Sequence, residues 1–269
     1  MVKIGVVIPA RNEEAYLGKT LQHLLRQTLK PHVIIVVDDG STDRTAEVAR
    51  KYGALVVELP RRSYEALAMP ELAEVINMGL KALEKAGRFD YVMVLGADHL
   101  LPRDYLEKVV GRMEMDRKLV MASGRMWGVK AYPDMPVGSG RVYRFSFLKE
   151  IGGFPLNYGW EDYPLFKALM KGYRIRCFMD IVTFPQRPIK LSKRKMLFLG
   201  MGMKALGYDP IYFLGKFILT FLKEPASALN MLAGYLAPNV QKYHDLGDFT
   251  RRWQRRKLYM RALRVVGAQ

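Results

Sequence analysis

Three carboxylate clusters in this chain have the residue types and the setting to do chemistry. VVDDGSTD places Asp38 and Asp39 beside a Gly-Ser turn. One of these carboxylates can accept the imide or amide hydrogen of a nucleobase while the turn accommodates a ribose; the alternative is that both only cap the turn. LGADHLLP sets Asp98 and His99 in a loop after an apolar run. A carboxylate there can hold Mg²⁺ or Mn²⁺ against a diphosphate, because hard cations prefer oxygen and keep positions open for phosphate oxygens. An ordinary loop acid is the alternative for Asp98, and a local hydrogen bond is the expected role of His99. In GGFPLNYGWEDYPLFKALMKGY, Glu161 and Asp162 open a predicted helix whose Leu165, Phe166, Leu169 and Met170 face a core. Acids at a helix start are stabilised by its dipole, which suits a capping role. A carboxylate fixed there behind Trp160 can also deprotonate an acceptor hydroxyl, an effect of roughly 10² to 10⁴-fold. Trp160 either offers its apolar face to a sugar ring or packs in the core.

These clusters need strands that end at them. Residues 3–8 (KIGVVI) and 33–37 (VIIVV) are short β-branched runs of the kind buried on both faces of a parallel sheet. Between them, Leu17, Leu21, Leu24 and Leu25 recur at helical spacing within residues 13–27. Ser41-Thr42-Asp43 predicts the cap of a helix through about Tyr52, and residues 54–58 (ALVVE) a third strand. A helix near 70–86, a strand at 90–95, a helix from Pro102 to about Met115 and a strand near 118–123 continue the alternation. The expected architecture is a doubly wound, mostly parallel α/β sheet, in which ligands sit beyond the carboxyl ends of the strands. Pro9, Arg11 and Glu13 follow the first strand, the aspartate pair the second, and Asp98 with His99 the strand ending at Leu95. Composition shifts near residue 190, so a catalytic domain is expected over 1–190 and a helical, basic region over 191–269.

The chain has 269 residues, 50% hydrophobic and 26% charged, which suits a globular domain with an appendage. Cys177 is the only cysteine, so an internal disulfide and a thiolate metal site are both excluded, and a reducing, cytoplasmic setting is the simplest reading. The apolar run at the N-terminus is too short to be a signal peptide. The formal charge is +17, of which the segment from Lys190 to Gln269 supplies +11. Such a surplus predicts a polyanionic partner. Crossing a membrane needs about 20 apolar residues. The run Ile211–Leu222 is shorter and contains Lys216, and the uncharged stretch from Pro225 to Gln241 is interrupted by Asn230, Gly234, Pro238 and Asn239. Met, Phe, Leu and Tyr mixed with Lys and Arg, followed by RRWQRRK at 251–257, suit interfacial helices on an anionic leaflet, the inner face of the cell membrane. Packing of these helices on the catalytic domain, or a dimer contact, is the competing expectation.

Taken in order, the motifs resemble glycosyltransferase family 2, whose members share the GT-A fold. VVIPARNEE resembles the family's first-strand motif, VVDDGSTD its nucleotide-binding acid pair, GADHLLP its Asp-x-Asp metal motif, and IGGF followed by WED its acceptor and base segment; Asn77-x-Gly79-Leu80 is also familiar there. The resemblance covers about residues 1–190. It implies inverting, metal-dependent transfer of a sugar from a nucleoside-diphosphate sugar to an acceptor hydroxyl or phosphate, on a lipid-linked or membrane-proximal acceptor if the tail binds membrane. By the same resemblance Asp39 contacts the base, and Pro9, Ala10, Arg11, Glu13, Asp38, Asn77, Gly96 and Ala97 line the nucleotide-sugar site. Asp98 holds Mg²⁺ or Mn²⁺, Asp162 beside Glu161 is the base, and Trp160 meets the acceptor. Gly96 stands where the family has the first acid of Asp-x-Asp. The Gln-x-x-Arg-Trp motif of the processive synthases has no match in Gln186-Arg187-Pro188, which favours a single-sugar transferase. Arg141 or Arg144 could assist the diphosphate, or be surface charges.

Two other classes compete. A nucleotidyltransferase would share the sheet, metal and nucleotide, but needs a Gly-rich basic phosphate loop that PARNEE does not supply. A nucleic-acid-binding module is suggested by Tyr243, Phe249, Trp253 and Tyr259 among the basic residues of the tail. It leaves the three acid clusters unexplained, so no nucleic-acid partner is expected.

Overall fold

The computed structural model describes residues 2–61, 69–188 and 192–266, which fall into two compact units. The first comprises Met1–Glu65, Glu71–Phe154 and Lys171–Ile189; the second, Ala66–Pro70, Pro155–Met170 and Lys190–Gln269. The compositional boundary at residue 190 lies outside the described residues. The WED segment belongs to the second unit, with the tail helices.

In the first unit, β1 (Ile4–Ala10), α1 (Glu14–Leu25), β2 (Val33–Asp38), α2 (Thr45–Lys51) and β3 (Leu55–Glu58) alternate as expected. They are followed by α3 (Pro70–Ala86), β4 (Tyr91–Val94), β5 (His99–Leu100), α4 (Tyr105–Met115), β6 (Leu119–Met126), β7 (Arg141–Arg144), α5 (Phe145–Glu150) and, after the WED segment, β8 (Arg174–Pro185). The sheet order is β3-β2-β1-β4-β7-β6-β8-β5. The first four strands are parallel, β7 enters antiparallel between β4 and β6, and β8 runs parallel to β6. Pairing of Pro9 with Val37 and of Val7 with Val94 brings the carboxyl ends of β1, β2 and β4 to one edge. All three acid-bearing loops of the first unit start there.

Ile4, Val6 and Ile8 of β1 form a core with Val36, Met93, Leu17, Leu21 and Leu24, joined by Leu106, Val109, Val110 and Met113 of α4. Leu25, expected on the same stripe, is exposed at the last position of α1.

The second unit is helical: α6 (Tyr163–Met170), α7 (Lys193–Ala205), α8 (Pro210–Phe221), α9 (Pro225–Leu236) and α10 (Gly247–Val266). Glu161 and Asp162 sit in the turn before α6, and the Asp162 carbonyl accepts the Phe166 amide at 3.1 Å. Leu165 and Phe166 are buried as expected, while Leu169 and Met170 are half-buried. Gly200 of α7 and Gly234 of α9 let the two backbones touch: a Cβ at Gly200 would lie 2.0 Å from the Met231 carbonyl oxygen, and one at Gly234 1.9 Å from that of Leu197. Asp209 caps α8, accepting from the Ile211 amide at 2.9 Å ahead of Pro210 at the first turn. It is fully buried; its backbone amide donates to Gln254 Oε1 at 2.8 Å and its carboxylate accepts from Arg255 Nε at 2.7 Å, tying α10 to the start of α8.

Candidate active site

The PARNEE and DDGSTD loops interlock through their own side chains. Asn12 adopts φ +54°, the left-handed region that asparagine tolerates better than most residues. Its amide donates to Ser41 Oγ at 2.9 Å and its side-chain oxygen accepts the Thr42 amide at 2.8 Å. The Glu13 amide donates to Thr45 Oγ1 at 2.8 Å, and the Glu14 amide to Asp43 at 3.1 Å. Gly40, at φ +68°, lies against Arg61, whose Cα would be 2.5 Å from any Cβ placed there. A turn this tight holds the two aspartates in different roles. Asp38 accepts the Ser41 amide at 3.0 Å and the Ser41 hydroxyl, so its carboxylate is used in capping. Asp39 is 4% exposed and faces the Arg11 guanidinium at 3.7 Å, beside Pro9 and Ala10 at the end of β1. Of the pair, Asp38 is taken up by the turn and Asp39 faces Arg11.

Asp98 follows β4 in the Gly96-Ala97-Asp98 loop. Its carboxylate accepts from Arg187 Nε at 2.6 Å, and the other arm of the same guanidinium binds Glu13. Arg187 stacks over Tyr16 at 5.0 Å, and 44% of its side chain is exposed, against 28% for Asp98 and 13% for Glu13. Burial pushes the Glu13 carboxyl above the usual range, opposed by the hydrogen bond from Arg187. Glu13 Oε2 is buried with no hydrogen-bond partner. Gln186 laces this loop to α1: its amide donates to the Asp98 carbonyl at 2.8 Å and its side chain to Thr20 Oγ1 at 2.9 Å, while Thr20 donates to the Ala97 carbonyl at 2.7 Å. Gly96 has a spatial reason. A Cβ there would meet Ser139 Oγ at 3.1 Å and Asp98 Oδ1 at 3.3 Å, a tight fit to which these two side chains would have to give by a few tenths of an ångström.

Arg187 and Gln186 are the functional candidates that the motifs did not single out. The signal was their position directly after β8, whose last residue pairs with His99. His99, expected to make a local hydrogen bond, instead bonds to partners distant in sequence, Ser139 at 2.5 Å and Thr183 at 2.7 Å, and burial lowers its pKa to about 4, so it is neutral. Three other candidates have their side chains engaged within the first unit. Asn77, expected to line the nucleotide-sugar site, has its side-chain amide taken up by Phe154, donating to the carbonyl at 2.6 Å and accepting the amide at 3.0 Å. Arg141 is neither a surface charge nor placed for a diphosphate: it is 2% exposed and donates to the Pro136 and Val137 carbonyls. Arg144 donates to the Leu119 and Met113 carbonyls and stacks over Tyr91.

In the second unit, Trp160, Glu161 and Asp162 line a cavity of about 130 Å³ with Lys195, Met196, Leu199, Met203 and Leu206. Trp160 is 7% exposed, so it packs as part of the wall. Lys216 of α8 is half-buried and close enough for Asp162 to act on it; burial lowers its pKa and the Asp162 charge opposes that.

The sequence profile described as Glycosyl transferase family 2 matches residues 5–163, more than half of the chain. The chain belongs to this family. Membership of this family favours the sugar-transfer reading over a nucleotidyltransferase or a nucleic-acid module. A 4,4'-diaponeurosporenoate glycosyltransferase of Staphylococcus aureus is 52% identical over 56 residues, a match covering 21% of this chain and 15% of that relative. Among solved structures, the mannosyltransferase PcManGT from Pyrobaculum calidifontis, in complex with GDP-Man and Mn²⁺, superposes with a TM-score of 0.60 at 21% identity, over 87% of this chain and 70% of that one. The S. aureus TarS 1-349 complex with UDP gives 0.58 at 18% identity, over 82% and 72%. These likenesses show the GT-A fold.

Proposed function

We propose that the protein is an inverting, divalent-metal-dependent transferase. It moves one sugar from a nucleoside-diphosphate sugar to a hydroxyl or phosphate of a lipid-linked or membrane-proximal acceptor, as a peripheral protein on the inner face of the cell membrane. The observation that carries the donor half is the Glu13, Arg187 and Asp98 cluster, set beside the interlocked loops at the carboxyl edge of the parallel strands. Mg²⁺ and Mn²⁺ bind through one or two carboxylates plus phosphate oxygens and retain waters. Asp98, with Glu13 and its unpartnered buried oxygen nearby, fits that chemistry, although no group of three metal-ligating side chains occurs among the described residues. Asp98 would hold the cation, which when bound supplies positive charge to the departing diphosphate. Arg187 presents a planar fork suited to phosphate oxygens and would shift from the two carboxylates to the diphosphate. Asp39 and Arg11 hold the base. Asp162 takes the acceptor proton as the acceptor oxygen attacks the anomeric carbon; the bond to the diphosphate breaks on the opposite side, and the configuration inverts. The apolar wall of Met196, Met203 and Leu206 beside Asp162 supports an acceptor with a hydrocarbon portion.

The test is thermal stabilisation by a panel of UDP-, GDP- and TDP-sugars with Mn²⁺, followed by hydrolysis and by NMR of the product anomer. A donor at 100 times its dissociation constant stabilises the fold by about 2.7 kcal/mol. The reading fails if no sugar nucleotide stabilises or is hydrolysed, and inversion fails if the anomer is retained.

A further inference from the structure

The helical unit carries a surface that sugar transfer does not use. On α8, Ile211, Leu214, Ile218 and Leu219, with the capping Leu222, are 68, 54, 48, 67 and 77% exposed, and their spacing puts them on one face. The opposite face is packed: Phe213 is 5% exposed and stacks on Tyr235 of α9 at 3.8 Å, and Lys216 is half-buried. On α9, Leu229 and Leu236 are 54 and 65% exposed, with Ala233 exposed between them. The only charged side chains exposed from Pro210 to Leu236 are Lys223 and Glu224, in the turn joining the two helices. Exposed apolar faces of this kind mark a contact site.

Charge decides between a lipid surface and a second copy of the chain. Elsewhere in the unit Lys193, Arg194, Lys242, Arg251, Arg252, Arg255 and Arg256 are exposed, against Glu161, Asp245 and Asp248; Asp245 is paired with Lys167 at 2.8 Å and Arg255 with the buried Asp209 at 2.7 Å, which leaves the basic excess standing. Face-to-face pairing of two such units opposes like charges, whereas an anionic bilayer takes apolar side chains into its head-group layer and cations onto its phosphates. No helix among the described residues is long and apolar enough to cross a membrane. We infer that the outer faces of α8 and α9 form a docking surface that beds into the head-group layer of an anionic bilayer. Asp162 belongs to the same unit as α8, and its charge acts on Lys216 of the inner side of that helix. If Asp162 is the base, as proposed above, the acceptor is a membrane lipid with its reactive oxygen at head-group level.

The full chain is floated with vesicles of phosphatidylcholine containing phosphatidylglycerol, and with phosphatidylcholine alone. It should float with the anionic vesicles and remain bound at about 0.5 M salt, where charge attraction is screened and apolar insertion is not. Leu214→Glu/Ile218→Glu/Leu222→Glu should lower the bound fraction about tenfold or more, with an unchanged circular-dichroism melt and an unchanged rate of donor hydrolysis without vesicles. That hydrolysis reads the transferase independently, so loss of one function is not mistaken for loss of the other. Because Cys177 is 1% exposed, Leu219→Cys can be labelled with bimane, whose emission should shift to the blue on anionic vesicles. The inference is overturned if the parent does not float, if the triple variant floats as well as the parent, or if the bimane shift follows protein concentration without lipid, which would assign the face to a second copy.

Discussion

Replacing Arg187 with Ala should destabilise the fold in a pH-dependent way. The guanidinium is the partner that the structure shows between Glu13 and Asp98. Removing one partner of a fully buried pair costs about 3 to 5 kcal/mol, and an exposed pair is worth about 0 to 1 kcal/mol. With Glu13 13% and Arg187 44% exposed, the case is intermediate, and discounting for solvent gives about 1 to 2 kcal/mol at neutral pH. For a unit of this size that corresponds to about 3 to 6 °C in melting temperature. The sign with pH follows from Glu13, whose carboxyl titrates above the usual range because it is buried. A raised acid binds its proton more tightly folded than unfolded, so its contribution is fully present below the unfolded pKa and is lost as pH rises through the folded one. Without Arg187 the folded value rises further and more stability is lost at neutral pH. The deficit of the variant should therefore be widest near neutrality and narrow as Glu13 takes up a proton in acid. Arg187→Lys, keeping the charge but not the fork, should recover part of it. Melts of parent and variants by circular dichroism across this pH range measure the difference. A deficit of the same size in acid and at neutral pH, or none, would refute the coupling of Arg187 to Glu13.

Asp98→Asn should weaken sugar-nucleotide binding far more in Mn²⁺ than in EDTA, read by isothermal titration; equal loss in both removes Asp98 from the metal role. Asp162→Asn should leave donor affinity nearly intact and lower turnover by roughly 10² to 10⁴-fold, and if Glu161→Gln does this instead, the base is the other member of the pair. Gly234→Ala should lower the stability of the helical unit by about 1 to 3 kcal/mol, because its Cβ would stand 1.9 Å from the Leu197 carbonyl oxygen; an unchanged urea midpoint would show that α7 and α9 part at no cost.

What was legible in the sequence follows from how local each signal is. The β-branched runs and the leucine stripe of α1 respond to burial within a few residues, and the α/β alternation and the edge where Asp39 and Asp98 lie were readable from them. The predicted helix at 70–86 matches α3 to the residue, because Pro70 starts it and Gly87 follows it. Contacts distant in sequence were not legible. Asn77 sits in a motif but is held by Phe154, 77 residues away, and Arg141 is buried by carbonyls of a loop with no periodic pattern. Arg187 reaches Glu13 across 174 residues, because β8 returns to the sheet beside β6 and ends against His99. Its motif failed the test for processive synthases, and that failure concealed an arginine which chain topology carries to the same loop. The apolar face of α8 shows the opposite limit. Its composition was visible, but Ile211, Leu214, Ile218 and Leu222 have the same spacing as a stripe packed in a core, and only the burial of Phe213 behind them shows which side of the helix is left uncovered.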